Sequence, residues 1–486
     1  MCLPEPMIQE TTSLTHQGIQ QSIPRARSVL ALALLSAATI CGALWSVASL
    51  DVDRHYTPDS PAYVDLARNL SAYANPADPL WGSAVNRTPG YPLLIAAAFA
   101  LVGEDVANVI GIQILLFLGS IYLTYRIGKR LSGPMCGAIA ACVLALSLES
   151  NVFAIYLMNE TLFTTALLAS TWVWLSAIKQ PHKGWAFLSG LGLGAATLIR
   201  PAGMYLPILL APPFLIGSQK FSRKCAQLAL FAAGVAFPVG SWMAHHYSLT
   251  GTAFVTTIQS KDMLYFRAAG AVAEEQGVHR WVAATALAEQ LWRPYGIRVS
   301  AAERQQLTRA IKHSNHAWLN RFFDQQVSSQ GSSAIGSYLL SSAEKRLAIK
   351  TLWQHPVGTF KTAANGLIRL FGGTATYRTL RLAGYDTKAE DHLWLRTGYI
   401  AVALGLLGFC YLGATAGLFS LLRHRRYEVC YTLLVFIAYF TAVALGPTAT
   451  TRYRIPMMPF VAILTATGIL AVCQHKNRRQ ELLRNA

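Results

Sequence analysis

The stretch DVDRHYTPDSPAYVDLARNL, residues 51–70, sets Asp51, Asp53, Asp59 and Asp65 into a chain whose 41 Lys and Arg outnumber its 23 Asp and Glu. Further along stand Arg87 and Tyr91 in NRTPGYP, Glu160 in YLMNETLF, Arg200 in LIRPAG, and Arg452 and Arg454 in TTRYRIPMMP. Carboxylates suit proton transfer, and guanidinium groups suit phosphate, which they grip through two parallel hydrogen bonds. The same residue types also serve structure. An Arg or Tyr at a helix end is commonly an interface anchor, and Asp59 within PDSP fits turn chemistry. Which role each takes depends on the elements that carry it.

Those elements are apolar. Of 486 residues, 53% are hydrophobic and 13% charged, with a mean hydropathy of +0.35, where a soluble chain has about 25% charged residues. The pattern is that of an α-helical polytopic membrane protein. A net charge of +18 raises the possibility of a nucleic-acid partner, but the Lys and Arg cluster in short loops between apolar runs, as membrane topology requires. The eight cysteines lack metal-type spacing, so neither disulfides nor a cysteine zinc site is expected.

Spans are predicted at 28–50, 106–126, 133–148, 161–178, 184–200, 202–217, 226–247, 397–421, 428–446 and 455–473. The first is read as a retained anchor, because the apolar core of a signal peptide runs to only about 7–15 residues. Residues 1–24 before it are polar and expected to be disordered. With both termini cytoplasmic, the basic clusters Arg25/Arg27, Arg126/Lys129/Arg130, Lys179/Lys183, Lys220/Arg223/Lys224, Arg423/Arg425/Arg426 and Lys476/Arg478/Arg479 all fall inside. Counting PGYPLLIAAAFALVG, 89–103, as a further span would reverse every later loop, so it is predicted to be re-entrant or interfacial. The expected order is a tail at 1–27, a seven-span core at 28–248 with an outer loop at 51–105, a mainly helical extracytoplasmic domain at 249–395, three spans within 396–474, and a basic tail at 475–486. Within 249–395, the helical spacing of Val357, Phe360, Ala364, Leu367 and Phe371 fits either a membrane-surface helix with Lys361 and Arg369 outward or a helix in the domain core.

This topology brings Asp59, Arg87, Tyr91, Glu160, Arg200, Arg452 and Arg454 to one face of the membrane. Ionisable residues at membrane depth are costly and usually pair or line a cavity. The order PDSPAYVDLA, NRTPGYPLL, LMNETLF, LIRPAGMYLP, TTRYRIPMMPF resembles the C-class glycosyltransferases, in particular bacterial membrane enzymes related to protein O-mannosyltransferases and to the aminoarabinose transferases of lipid A. The resemblance implies transfer of a sugar, with inversion, from a polyprenyl-phosphate carrier to an acceptor at the outer leaflet. It makes Asp59 the catalytic base and leaves Glu160 or Asp65 to supply any second carboxylate, because Asp59-Ser60 stands where protein mannosyltransferases have an Asp-Glu pair. For the departing phosphate the arginines are suited by their paired hydrogen bonds: Arg87, Arg200, Arg452 and Arg454 are candidates, with Arg200 and Arg452 preferred, and Tyr63, Asp65 and Tyr91 are further candidates for substrate binding. The chain lacks the long insertion that forms the extra lumenal domain of those enzymes, which favours a lipid or glycan acceptor over a protein.

No cofactor is required by this reading. A divalent cation shared by Asp59 and Glu160 is possible in principle, although no dense carboxylate or His cluster supports it. His245-His246 reads as an interfacial pair. Two rivals remain open at this point: an oligosaccharide ligase or polymerase using a diphosphate-linked donor, and a lipid-sugar flippase or transporter. No internal repeat favours the latter, and no WWD-type motif favours an oligosaccharyltransferase.

Overall fold

The computed structural model describes residues 5–179, 183–216, 220–295, 299–312, 337–385 and 392–484. Among them every regular element is a helix. Seven helices are long and apolar enough to cross a bilayer: Pro24–Ala48, Val106–Ser132, Glu160–Lys179, Phe221–Thr250, Leu393–Arg423, Tyr427–Ala444 and Thr451–Lys476. The chain is a helical multi-pass membrane protein.

Three of the ten predicted spans depart from that form. The stretch 133–148 is broken: Pro134–Ala145 is followed by Leu148–Ile155 at an angle of 60°, and the pair makes an eighth crossing if taken as one. Ser147 causes the break, since its hydroxyl accepts from the Ser150 N–H at 3.4 Å and caps a new helix. The stretch 202–217 is only a series of short turns, because Pro207, Pro212 and Pro213 withdraw backbone donors. Lys183–Ile199 is regular but has 17 residues, about 26 Å of helix against a core of about 30 Å. At the N-terminal end the helix starts at Glu5 and continues through Pro24 to Ala48, where residues up to 24 were expected to be disordered. The Gln, Glu, Leu and Ile of that stretch are good or tolerated helix residues.

The segment 89–103 forms the 13-residue helix Gly90–Val102, too short to cross. It buries Tyr91, Pro92, Ile95 and Ala98, so it lies along the bundle. Residues after Thr250 build a second hydrophobic cluster from Leu264, Tyr265, Ala284, Leu287, Leu291, Trp292, Leu307, Ile311, Leu340 and Ala348. The polar stretch that starts at Ala301 is helical to Lys312, and its continuation from 313 lies outside the described residues.

Of the large apolar residues on the helix Pro356–Gly372, Leu370 alone is fully buried. Its packed face is Gly358, Thr362, Gly366 and Leu370, while Val357, Phe360, Leu367 and Ile368 are exposed. Of the two readings for this helix, the geometry matches the membrane-surface one.

Small residues let the spans close up. A Cβ at Gly190 would stand 2.1 Å from the Phe231 carbonyl oxygen, and one at Gly234 2.2 Å from that of Phe187, so Lys183–Ile199 and Phe221–Thr250 meet backbone to backbone. Gly190→Val is expected to force the pair apart and cost about 1–3 kcal/mol. Thermal unfolding in detergent, compared with Gly240→Val, where a Cβ meets nothing within 4 Å, checks this.

Candidate active site

The short helix Ser60–Arg68 begins at the serine after Asp59. Ser60 anchors that start: its hydroxyl accepts from the Thr57 N–H at 2.8 Å and donates to the Leu157 carbonyl at 2.8 Å. Asp59 occupies the N-cap position but makes no capping hydrogen bond, so turn chemistry does not account for it. Its carboxylate instead accepts from Arg87 Nη2 on Oδ1 at 2.6 Å and from Arg452 Nη1 on Oδ2 at 2.7 Å.

From Arg452 the charges continue inward. Its Nε donates to Glu160 Oε1, and the same oxygen accepts from Arg200 Nη1 at 2.5 Å. Glu160 opens the Glu160–Lys179 helix and is fully buried, Arg200 follows Ile199, and Arg452 lies in the 3-10 turn Thr451–Met457. Arg87–Asp59–Arg452–Glu160–Arg200 is therefore one alternating chain contributed by five separate stretches. Glu160 Oε2 is buried with no hydrogen-bond partner among the described residues. The Arg200 guanidinium lies 5.0 Å from the Tyr453 ring centroid.

Local sequence explains how Arg87 arrives there. Gly90 lets NRTPGYP approach the turn before Arg200: a Cβ there would stand 2.8 Å from the Leu198 carbonyl oxygen and from Ile199 Cγ1. Residues 256–261 clasp the chain just before Arg87. The Thr257 N–H donates to Val85 O at 3.0 Å, Thr256 Oγ1 to Asn86 O at 2.9 Å, and Thr257 Oγ1 and Lys261 Nζ to Asn86 Oδ1 at 2.6 and 3.0 Å. Lys261 in turn faces the buried Glu344, whose carboxyl burial pushes up while Lys261 pulls it down, and which accepts from Ser260 at 2.6 Å.

Electrostatically, burial pushes the Asp59 carboxyl up, but the charges and hydrogen bonds of Arg87 and Arg452 outweigh it and hold the group well below the usual carboxylate range. Arg452 also stands between Asp59 and Glu160, where a shared divalent cation would sit. Among the described residues no three His, Cys, Asp or Glu converge in a way that could hold a metal.

The other expected residues divide. Tyr63 joins the site: Arg87 Nη1 donates to its hydroxyl at 3.4 Å, the guanidinium lies 5.0 Å from the ring centroid, and Asn159 Nδ2 donates to the hydroxyl at 3.1 Å. Among the described residues Tyr91 makes no hydrogen bond with the five charged ones and packs against Tyr63. It is wholly buried, donates to Gln113 Oε1 at 2.5 Å and packs edge-on against Tyr63 at 4.9 Å, so it supports Tyr63. Asp65 is exposed, on a different face of its helix from buried Tyr63. Arg454 is fully buried and donates to Glu149 Oε1 at 2.7 Å and to the carbonyls of Leu370, Phe371 and Gly373 at 2.8–3.0 Å. It pins the end of Pro356–Gly372 to the last span. His245 and His246 bond the carbonyls of Tyr73 and Phe254, a structural pair.

Arg378 was not anticipated from sequence. It lies on the helix Thr376–Leu382, with its guanidinium 4.6 Å from the Phe153 ring centroid and its carbonyl accepting from the Tyr156 hydroxyl at 2.9 Å. It forms no ion pair among the described residues. Burial and Arg452 push its pKa down, while Glu160 and Asp59 pull it up, which places it in the same electrostatic neighbourhood. Its only sequence signal is a basic residue in a long polar segment.

Residues 86–242 match the family model described as dolichyl-phosphate-mannose-protein mannosyltransferase. The matched stretch carries Arg87, Glu160 and Arg200 and bears out the resemblance to the C-class membrane glycosyltransferases. No curated protein sequence matches the chain. In fold it is similar to the apo oligosaccharyltransferase of Archaeoglobus fulgidus, at 13% identity and a TM-score of 0.49, over 95% of this chain and 52% of that one. It is also similar to ArnT from Cupriavidus metallidurans bound to undecaprenyl phosphate, at 16% identity and a TM-score of 0.39, over 89% of this chain and 77% of that one. The chain spans about half the length of the Archaeoglobus protein.

The contrast between the two neighbouring arginines is testable. Arg454→Met breaks a buried pair and is expected to cost about 3–5 kcal/mol, seen as a lower melting temperature. Arg452→Gln is expected to weaken phosphate binding in protein that retains its helical signal. Equal effects of the two on phosphate binding would return Arg454 to the site.

Proposed function

We propose that the chain is a glycosyltransferase that moves a sugar from a polyprenyl-phosphate carrier to a lipid or glycan acceptor at the outer face of the cell membrane, with inversion and with both termini cytoplasmic. The observation that carries this reading is the paired state of Asp59: each carboxylate oxygen is held by a different arginine. A phosphate offers those arginines bidentate partners of the same kind. On arrival it draws Arg87 and Arg452 onto itself and frees Asp59 for the acceptor hydroxyl.

The reaction then runs as a single displacement. Asp59 takes the hydroxyl proton, the acceptor oxygen bonds to the anomeric carbon, and the carbon–oxygen bond to phosphate breaks with its electron pair leaving on polyprenyl phosphate. The ion-pair chain sets three arginines against two carboxylates and so carries a surplus of one positive charge. That surplus suits a leaving group that departs as a phosphate anion, about −1.5 to −2 for a monoester at pH 7. Glu160, with Oε1 holding two arginines, serves as the anchor of the phosphate-binding arginines. Described residues of the 249–395 segment bond the site's surroundings at Asn86 and at Arg454, which suits this segment to present the acceptor.

Purified protein is expected to transfer sugar from a polyprenyl-phosphate donor, and Asp59→Asn to lower kcat by about 10²–10⁴-fold while donor binding persists. Full turnover in that variant would move the base elsewhere. A second measurement tests the exchange of partners. Because Asp59 is held low in the free enzyme and released when donor binds, the acid limb of kcat, which reports the complex, is expected at higher pH than the acid limb of kcat/KM, which reports the free enzyme. Coincident limbs would sink the exchange.

A further inference from the structure

Away from the catalytic cluster, two arginines line one cleft, and no ion pair among the described residues neutralises either of them. The cleft has a volume of about 480 Å³ and is bounded by Gly270, Glu274, Arg280, Trp281, Arg369 and Pro447, among others. That is the size of a small-molecule site. Arg280 is held in place by two rings, its guanidinium lying 4.1 Å from the Trp281 centroid and 5.3 Å from that of Phe266. Arg369 comes from the helix Pro356–Gly372. Neither forms an ion pair among the described residues. Asp262, the carboxylate that acts on Arg280, is bonded to Arg267 at 3.1 Å. Burial and then the charge of Arg369 push the Arg280 pKa down, so the two guanidinium groups repel each other across the cleft.

The backbone adds to the same field. Gly277, at φ 65°, ends the helix Ala269–Gln276 in the left-handed conformation that favours glycine, and the chain turns back so that Arg280 is the first residue of the helix Arg280–Trp292. The positive end of that helix therefore lies at the cleft beside the guanidinium. Glu274 on the rim is the one opposing charge among the lining residues. On the Arg369 helix, Leu367 and Ile368 are 41% and 70% exposed and Phe360 74%, an apolar strip suited to the membrane surface next to the cleft.

We propose that Arg280 and Arg369 form a second anion-binding site, distinct from the Asp59 cluster, that takes the phosphate monoester of a membrane-borne acceptor. Its role as an acceptor site rests on the glycosyltransferase reading, but the binding itself does not. A lipid-borne phosphate and a free phosphate share this chemistry, and the exposed strip beside Arg369 favours the lipid.

The test uses the full chain in phosphatidylcholine nanodiscs, titrated with short-chain phosphatidic acid or with inorganic phosphate, and reads tryptophan fluorescence. Because Arg280 lies over Trp281, a saturable change is expected with phosphatidic acid and is expected to vanish in Trp281→Phe. Arg280→Gln with Arg369→Gln should weaken it at least tenfold, and Glu274→Gln should strengthen it. Asp59→Asn, which removes the proposed base, should leave it unaltered, so failure of the catalytic reading and failure of this site give different results. Inorganic phosphate acting as strongly as the lipid would overturn the membrane-borne ligand. A response that survives the double glutamine variant, or no response at all, would overturn the site.

Discussion

The cost of charge in a low-dielectric setting organises this protein. Five ionised side chains meet where two spans, the shorter helix Lys183–Ile199, one interfacial helix and one loop converge, and none of them is tolerable there alone. Among the described residues each carboxylate is ion-paired by arginines from other stretches, so the ion-pair chain requires those stretches to be in place together. Such pairs need not stabilise the fold more than apolar packing of the same volume would. What they do is fix which segments meet and keep guanidinium groups at one end of the bundle, where an anionic ligand can compete for them.

Around that chain lies a shell that holds its members in orientation. Tyr91 and Gln113 brace Tyr63, which lies under Arg87. Asn86 is clasped by Thr257 and Lys261, 171 and 175 places further along the sequence, so the position of Arg87 depends on that later segment. Arg454 performs the matching task at the other side, tying the end of Pro356–Gly372 to the last span through three carbonyls and, through Glu149, the helix Leu148–Ile155 as well. The segment after Thr250 is thus bonded to the membrane core at points on both flanks of the site.

How much of this was legible in the sequence follows from which signals are local. The apolar runs and alternating basic loops are local, and they gave the helical membrane architecture and the convergence of Asp59, Arg87, Glu160, Arg200 and Arg452. Helix breaks were written in residues already visible, Ser147 and the prolines between 207 and 213, but run length outweighed them. Arg452 was preferred to Arg454 with no local signal behind the preference: in a 3-10 turn residues two apart point about 240° apart, and only tertiary packing says which direction faces the site. The motif of Tyr91 borders Arg87, but the direction of its side chain, inward to Gln113, is set by packing and not by the motif. Arg378 carried no local mark, since a basic residue in a polar segment is ordinary until the fold lays it over Phe153.

The two carboxylates of the chain differ in a way that bears on their division of labour. Glu160 has no exposed surface and shares one oxygen between two arginines, whereas the Asp59 side chain is 25% exposed and gives one oxygen to each of its two. Pulling an arginine from Glu160 would leave a buried anion uncompensated, which is expensive. Pulling one from Asp59 lets water or a hydroxyl take its place, which is much cheaper at partial exposure. A ligand phosphate therefore exchanges with Asp59 before it can exchange with Glu160. Under the glycosyltransferase reading, that asymmetry makes Asp59 the group that is released to do chemistry and Glu160 the group that keeps Arg200 and Arg452 in place while it happens.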